Sequence, residues 1–269
     1  MDEIEKLFRE DWAKATPPPD YESCLVFGMP RGGSVLMDKI LHDLTAAAGV
    51  PFAVVDYLFN RLGIIRHKAP PTTQAIFKDR GFIYGLREVP QTFDIPFLLD
   101  HRKILLVRDA RDVLVSNYFY VLFGNQESYV SKDKSAESFD ALQRGKDRAK
   151  SEDINDFVLR LIPWYRDRIF TPYAAFLNDP TARIYRYEDV LFDKAPWVAD
   201  MARHLRLDVP ESLCQEIAAR HDILPKKEDP GAHVRKATPG DHRDKLSPET
   251  IQTLNKAFGP LLRDFGYDL

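Results

Sequence analysis

Cysteine is almost absent from this sequence: Cys24 and Cys214 are the only two in 269 residues. That excludes a fold organised by disulfides. Cys24 opens an apolar run and Cys214 sits in an amphipathic helical stretch, so both are expected as buried thiols. Long hydrophobic runs are missing too. No window approaches the roughly 20 apolar residues that span a bilayer. The opening MDEIEKLFRE is charged and amphipathic, without the apolar segment of a signal peptide. These features predict a cytoplasmic protein with no stable membrane insertion. Positive charge is not in excess: 38 Lys and Arg against 41 Asp and Glu give a formal net charge of −3. A nucleic-acid binder usually carries a clear basic surplus, so no nucleic-acid partner is expected. An anionic ligand has to be held by local positive charge. No cluster of the His-x-x-x-His kind is present, and no metal site is expected.

The chain does contain enough apolar material for a large core. Hydrophobic residues make up 44% and charged residues 29%, and residues 1–269 read as a single α/β domain. Residues 1–20 suggest a short amphipathic helix and then a stiff break at Thr16-Pro17-Pro18-Pro19-Asp20. Short apolar runs follow at Cys24–Gly28, Pro51–Val55, Phe82–Tyr84 and Lys103–Val107, and Arg183–Tyr187 reads as a fifth strand. Continuous apolar runs of this length mark buried parallel strands. Helical patterns separate them: Leu36, Ile40 and Leu44 recur every fourth residue, and a long stretch runs from Ile154 to about Leu177. Two more helices are expected across 195–222, and a last one starts at Pro248. Residues 124–153 are rich in Lys, Asp, Ser and Gly and suggest a mobile insertion rather than a core element. The alternation predicts a parallel sheet of about five strands with helices on both faces, of the P-loop type.

Two strand-to-helix junctions carry the chemistry. Gly28-Met29-Pro30-Arg31-Gly32-Gly33-Ser34 has glycines five apart and a hydroxyl at the helix start. Glycines let main-chain N–H groups close around an anion, and the helix N-terminus adds partial positive charge. The Walker lysine expected between Gly33 and Ser34 is absent, and the cation, Arg31, stands inside the loop instead. Taken alone, the segment also fits a tight turn without a ligand. The second junction runs from Val107 to Ser116, with Arg108 at the strand end and Ser116 eight residues on. A guanidinium and a hydroxyl suit a phosphate, while a junction laced with ion pairs is the other reading. Asp109, followed three residues later by Asp112, has the look of a capping box.

Both segments resemble those of the sulfotransferases that use 3′-phosphoadenosine 5′-phosphosulfate (PAPS). Pro30-Arg31-Gly32-Gly33-Ser34 is similar to the family's 5′-phosphosulfate loop in its arginine version. The resemblance implies that Arg31 neutralises the bridging oxygen as the nucleotide leaves, and that Gly32, Gly33, Ser34 and Val35 contribute to the cradle of the 5′-phosphate. Leu36 stands where the cytosolic branch has a tryptophan that stacks on adenine. The run from Arg108 to Ser116 resembles the 3′-phosphate site, which assigns the grip to Arg108 and Ser116. Asp109, Arg111 and Asp112 then build the junction. Tyr187-Glu188-Asp189 resembles the segment whose tyrosine approaches adenine. Arg235-Lys236-Ala237-Thr238-Pro239-Gly240-Asp241 is similar to the C-terminal motif that closes over the nucleotide. Ala237 replaces a glycine there, and His242 a usual tryptophan.

Transfer of a sulfuryl group needs in-line placement, charge stabilisation on the leaving oxygen and a base for the acceptor hydroxyl. The cytosolic branch takes its base from a histidine in a Lys-Thr-His segment; Gly85-Leu86-Arg87-Glu88-Val89-Pro90 has none. Carbohydrate and tyrosylprotein members place a carboxylate just after the second strand, where Asp56 stands. Asp56 is ranked first as base and Glu88 second, with a histidine or a water relay as the remaining option; an ordinary helix N-cap is the competing role for Asp56. His67, His101 and His221 are expected to be surface or structural. The resemblance implies PAPS as co-substrate, its 3′,5′-bisphosphate (PAP) as product, and a carbohydrate, lipid or other small-molecule acceptor. Residues 124–153 with Tyr118-Phe119-Tyr120 are expected to shape the acceptor entrance. The rivals are a small-molecule or nucleotide kinase using ATP and magnesium, and a nucleotide-binding protein without turnover.

Overall fold

The computed structural model describes residues 3–12, 16, 18–62, 71–87, 94–124, 136–222, 228–229, 236 and 238–269. In chain order its main elements are α1 (Glu3–Trp12), β1 (Cys24–Gly28), α2 (Ser34–Ala48), β2 (Phe52–Val54), α3 (Val55–Leu62), β3 (Ile83–Leu86), β4 (Lys103–Val107) and α4 (Ala110–Phe123). Then come α5 (Ala136–Ser151), α6 (Ile154–Tyr165), β5 (Ala182–Arg186), α7 (Lys194–His204), α8 (Glu211–Arg220), α9 (Asp241–Lys245) and α10 (Pro248–Asp264). The chain divides into two compact units: Met1–Val107 with Asn178–Ile223, and Arg108–Leu177 with Leu224–Leu269.

The first unit holds the whole sheet. Its five strands lie in the order β2-β3-β1-β4-β5, and every pairing is parallel. All residues of β1, β3 and β4 are buried. Successive side chains of a strand point to opposite faces, so this burial means that both faces are covered. The apolar runs that predicted these strands have that origin. β5 is an edge strand and only half-buried. Lys103, in β4, is completely buried and donates to Asp179 Oδ2 at 2.8 Å, which compensates its charge. A parallel sheet gathers the carboxyl ends of its strands along one edge. The Gly28–Ser34 turn after β1, Asp56 after β2 and Arg87 after β3 therefore leave from neighbouring strand ends.

The second unit is helical. Asp109 caps α4 by accepting the N–H of Arg111 at 2.9 Å, Asp153 caps α6, and Ser247 caps α10. Helix α6 continues through a π turn at Arg166–Phe170 into Thr171–Ala174. Phe170 meets Phe258 of α10 edge-on at 5.6 Å between ring centroids. Residues 136–151, expected to belong to a mobile insertion, form α5. This helix has little apolar periodicity to announce it, and it carries pairs four apart instead. Gln143 donates to Asp147 at 2.9 Å and Arg148 to Glu152 at 2.6 Å, while Ala149 is buried. Residues 125–135 lie outside the described residues.

Candidate functional site

The turn after β1 leads into α2 without a side-chain cap. Gly33 is the N-cap, with φ 94° and no side-chain cap, and the first turn of α2 has no acidic residue. Helix α4, by contrast, begins with an aspartate cap and Asp112 in its first turn. A helix start with no side-chain cap and no acidic first turn suits an anion. Arg31 itself holds left-handed backbone, φ 64°, where most residues are strained by about 1 kcal/mol. Two glycines are dictated by space. A Cβ on Gly28 would sit 2.5 Å from the Cβ of Ser34, and one on Gly33 would sit 2.6 Å from Cδ2 of Tyr187. Tyr187, buried and directly after β5, thus packs its ring against the turn. Ser34 is buried, and Arg31 and Val35 are half-buried.

Asp56 is 3% exposed, and its Oδ2 accepts the main-chain N–H of Arg87 at 2.9 Å. It lies inside the first turn of α3, and its described hydrogen bond goes to the end of β3, not to a helix start. The Arg87 guanidinium turns the other way, to Asp38 on α2. Its Nε donates to Asp38 Oδ2 at 2.9 Å, and a terminal nitrogen makes a closer contact with the same oxygen. Burial pushes the Asp38 carboxyl above the ordinary aspartate range; the charge of Asp56 adds to this and Arg87 opposes it. The Tyr57 ring centroid lies 5.9 Å from the Arg87 guanidinium carbon. The other ranked base, Glu88, lies outside the described residues.

In the second unit Arg108 is 6% exposed and Ser116 9%. Arg108 lies 3.9 Å from Asp112, which is the hub of this region. Asp112 accepts the N–H of Gly240 at 2.7 Å, the N–H of His242 at 3.0 Å and Nδ1–H of His242 at 2.7 Å. The expected capping box is therefore not formed: Asp109 caps the helix, and Asp112 anchors the C-terminal segment instead. Burial would raise the Asp112 carboxyl. The His242 hydrogen bonds and the Arg108 charge outweigh it and pull the pKa down to about 2. Arg111 is tied into the junction by two nitrogens on Asp109, by Asn255 at 2.9 Å and by the Asp268 carbonyl at 2.6 Å. Lys236 donates to Asp241 at 2.8 Å and Asp244 at 3.2 Å. The Asp241 hydrogen bond, with help from Asp244, raises its pKa. Arg235 and Ala237 lie outside the described residues.

Sequence reasoning passed over Asp38, Arg87 and the Asp112–His242 pair. Asp38 had a signal: it stands one turn after Ser34, between Met37 and Ile40 on the buried side of α2. Arg87 and His242 were read only as departures from a pattern. His101 and His221 behave structurally. His101 Nδ1 is 2.8 Å from the Ser23 carbonyl oxygen, and His221 Nε2 is 2.9 Å from Asp43 Oδ2. His67 lies outside the described residues. Among the described residues there is no cluster that could hold a metal ion, and no helix long and apolar enough to cross a membrane.

The sulfotransferase domain model matches residues 90–266, more than half of the chain. The chain belongs to the sulfotransferase family. The match includes the Arg108–Ser116 junction, Tyr187 and Lys236, and leaves out the Gly28–Ser34 turn. A search of curated proteins gives no match. Among solved structures, mouse sulfotransferase SULT7A1 complexed with PAP is similar with a TM-score of 0.61 at 14% identity, over 90% of this chain and 84% of that one. Retinol dehydratase in complex with androsterone and inactive cofactor PAP gives 0.53 at 17% identity, over 98% and 87%. The same enzyme with retinol and PAP gives 0.50 at 18% identity, over the same shares. At these identities the likeness is one of fold.

Proposed function

We propose that this sulfotransferase takes its sulfuryl group from PAPS and passes it to a hydroxyl of a carbohydrate, lipid or other small-molecule acceptor, releasing PAP. The observation that carries this reading is the start of α2: a glycine cap, no acidic first turn, and a cation inside the loop rather than a Walker lysine. In this reading residues 1–269 act as one sulfotransferase domain. Main-chain groups of Gly33, Ser34 and Val35 hold the 5′-phosphate, Gly32 shapes the turn with its N–H on the Met29 carbonyl at 2.9 Å, and Arg31 neutralises the oxygen that departs with PAP. Arg108 and Ser116 take the 3′-phosphate as charge-assisted and neutral donors. Tyr187 approaches adenine, and Arg235 and Lys236 cover the nucleotide.

The acceptor oxygen forms the new S–O bond as the bond from sulfur to the 5′-phosphate oxygen breaks, and the acceptor proton goes to a base. Asp56 fits that role: it is buried, at the carboxyl edge of the sheet, and held from behind by a main-chain donor. Glu88 is the alternative. The SULT7A1 and retinol dehydratase structures contain PAP, and one of the latter contains androsterone, which agrees with a nucleotide donor and a small acceptor. The test is a panel of phenols, sterols and oligosaccharides with ³⁵S-labelled PAPS. Asp56→Asn is expected to keep nucleotide affinity while turnover falls by about 10²–10⁴-fold. Full turnover in Asp56→Asn would transfer the role to another residue.

A further inference from the structure

A basic cavity of about 410 Å³ opens at the amino ends of β4 and β5, the opposite end of the sheet from the Gly28–Ser34 turn. Arg102, Arg183, Asp200, Arg203, His204 and Arg206 line it. They come from the segment entering β4, from β5, from α7 and from the turn that follows α7. All six belong to the first unit. We propose that this cavity is an anion site of its own, which takes a small molecule bearing phosphate or sulfate groups. Such a site stands independently of the nucleotide reading.

Charge in the walls is unbalanced. Asp200 is the carboxylate in the lining, and both its oxygens are occupied. Arg183 donates to them at 2.9 and 3.1 Å, Arg203 at 3.1 Å and the Tyr185 hydroxyl at 2.8 Å. Arg102 pairs with Glu22 at 2.8 Å through a terminal nitrogen, while its buried Nε has no acceptor among the described residues. The Arg206 guanidinium makes no hydrogen bond or ion pair with a described residue. Four guanidinium groups are thus matched, among the described residues, by two carboxylates. Planar guanidinium groups fit phosphate and sulfate oxygens two at a time, and a cavity of this volume holds a small organic anion. Burial lowers the His204 pKa, and the charges of Arg183 and Arg102 add to this against hydrogen bonds to the Lys103 and Thr181 carbonyls. That side chain is therefore a neutral part of the wall.

A helix C-terminus attracts cations, which is sufficient reason for Arg203 and His204 in the last turn of α7. Arg206 needs another. Helix α7 ends in a Schellman turn: the Leu207 N–H reaches the Ala202 carbonyl at 2.8 Å, and the Arg206 N–H reaches the Arg203 carbonyl at 3.1 Å. The residue at the position of Arg206 has to take left-handed backbone, which glycine does without strain; Arg206 holds it at φ 53°. Strain of this kind collects where a side chain has a use, and here it places a fourth guanidinium on the cavity wall. Arg102 and Arg183 lie on other elements and are not explained by the helix dipole.

Calorimetric titration of the full chain with sodium pyrophosphate tests the assignment, in saturating 3′,5′-ADP so that the proposed nucleotide site is occupied. Saturable pyrophosphate binding is expected, weakening as salt is raised. Arg206→Gly removes the guanidinium and relieves the turn. Its pyrophosphate affinity is expected to fall about 10-fold, while its thermal midpoint without ligand rises. A merely structural arginine would not part the two readouts in this way. Arg183→Gln, on the half-buried edge strand, is expected to weaken binding by about the same factor, and it decides if Arg206→Gly folds poorly. Parallel titrations with inorganic sulfate name the source: tighter pyrophosphate assigns a phosphate-bearing ligand, and tighter sulfate a sulfate ester. No binding of either anion at millimolar concentration, or unchanged affinity in either folded variant, overturns the proposal. If 3′,5′-ADP itself does not bind, the nucleotide reading fails, and the two variants still locate the pyrophosphate.

Discussion

At Gly33 two requirements meet: left-handed backbone at φ 94° and the ring of Tyr187 where a side chain would otherwise be. Gly33→Ala is therefore expected to destabilise the chain by about 1–3 kcal/mol, combining backbone strain with displacement of a buried ring. Urea unfolding measures this, and unchanged stability would show that the turn relaxes freely. The sequence made this glycine legible, because its spacing to Gly28 and Ser34 already marked a glycine turn between strand and helix. It could not make Arg87 legible. An arginine after a short strand reads as surface, and its use as a main-chain donor to Asp56 and a side-chain partner of Asp38 depends on strand order. That order is a tertiary fact, absent from any local pattern.

At the scale of elements, legibility followed burial. β1, β3 and β4 are buried on both faces, so they wrote uninterrupted apolar runs into the sequence. Helix α5 is stabilised by polar pairs four apart, and its composition looked like a loop. The start of α4 was half-legible. Asp109 was found as a cap, but Asp112 looked like its capping-box partner when it is the anchor of Gly240 and His242. That anchor makes a pH prediction. The Asp112 carboxyl is depressed from 3.8 to about 2, so its contribution is fully present above about pH 4 and is lost as pH falls through about 2. The shift corresponds to about 2 kcal/mol. Urea titrations at pH 5 and pH 2.5 are expected to show a steeper acid loss in the native chain than in Asp112→Asn. Equal losses would mean that the carboxylate carries no special stabilisation.

For the molecule as a whole, the formal charge of −3 hides how its cations are placed. Arg31 stands in the turn before α2, and Arg108 and Arg111 stand at the start of the second unit. Arg111 is spent on Asp109, Asn255 and Asp268; Arg31, Arg108, Arg235 and Lys236 are the proposed nucleotide cations. The family was legible because both junctions carry dense motifs. The acceptor was not, because an acceptor surface is made by shape and loops rather than by a recurring local pattern. Calorimetric titration with 3′,5′-ADP tests most directly whether the nucleotide is held by phosphates at both its 5′ and 3′ positions. Saturable binding without magnesium is expected, weakened in Arg108→Ala by about 1.5–3 kcal/mol. Absence of 3′,5′-ADP binding at high micromolar concentration, together with clear magnesium-dependent ATP binding, would contradict it.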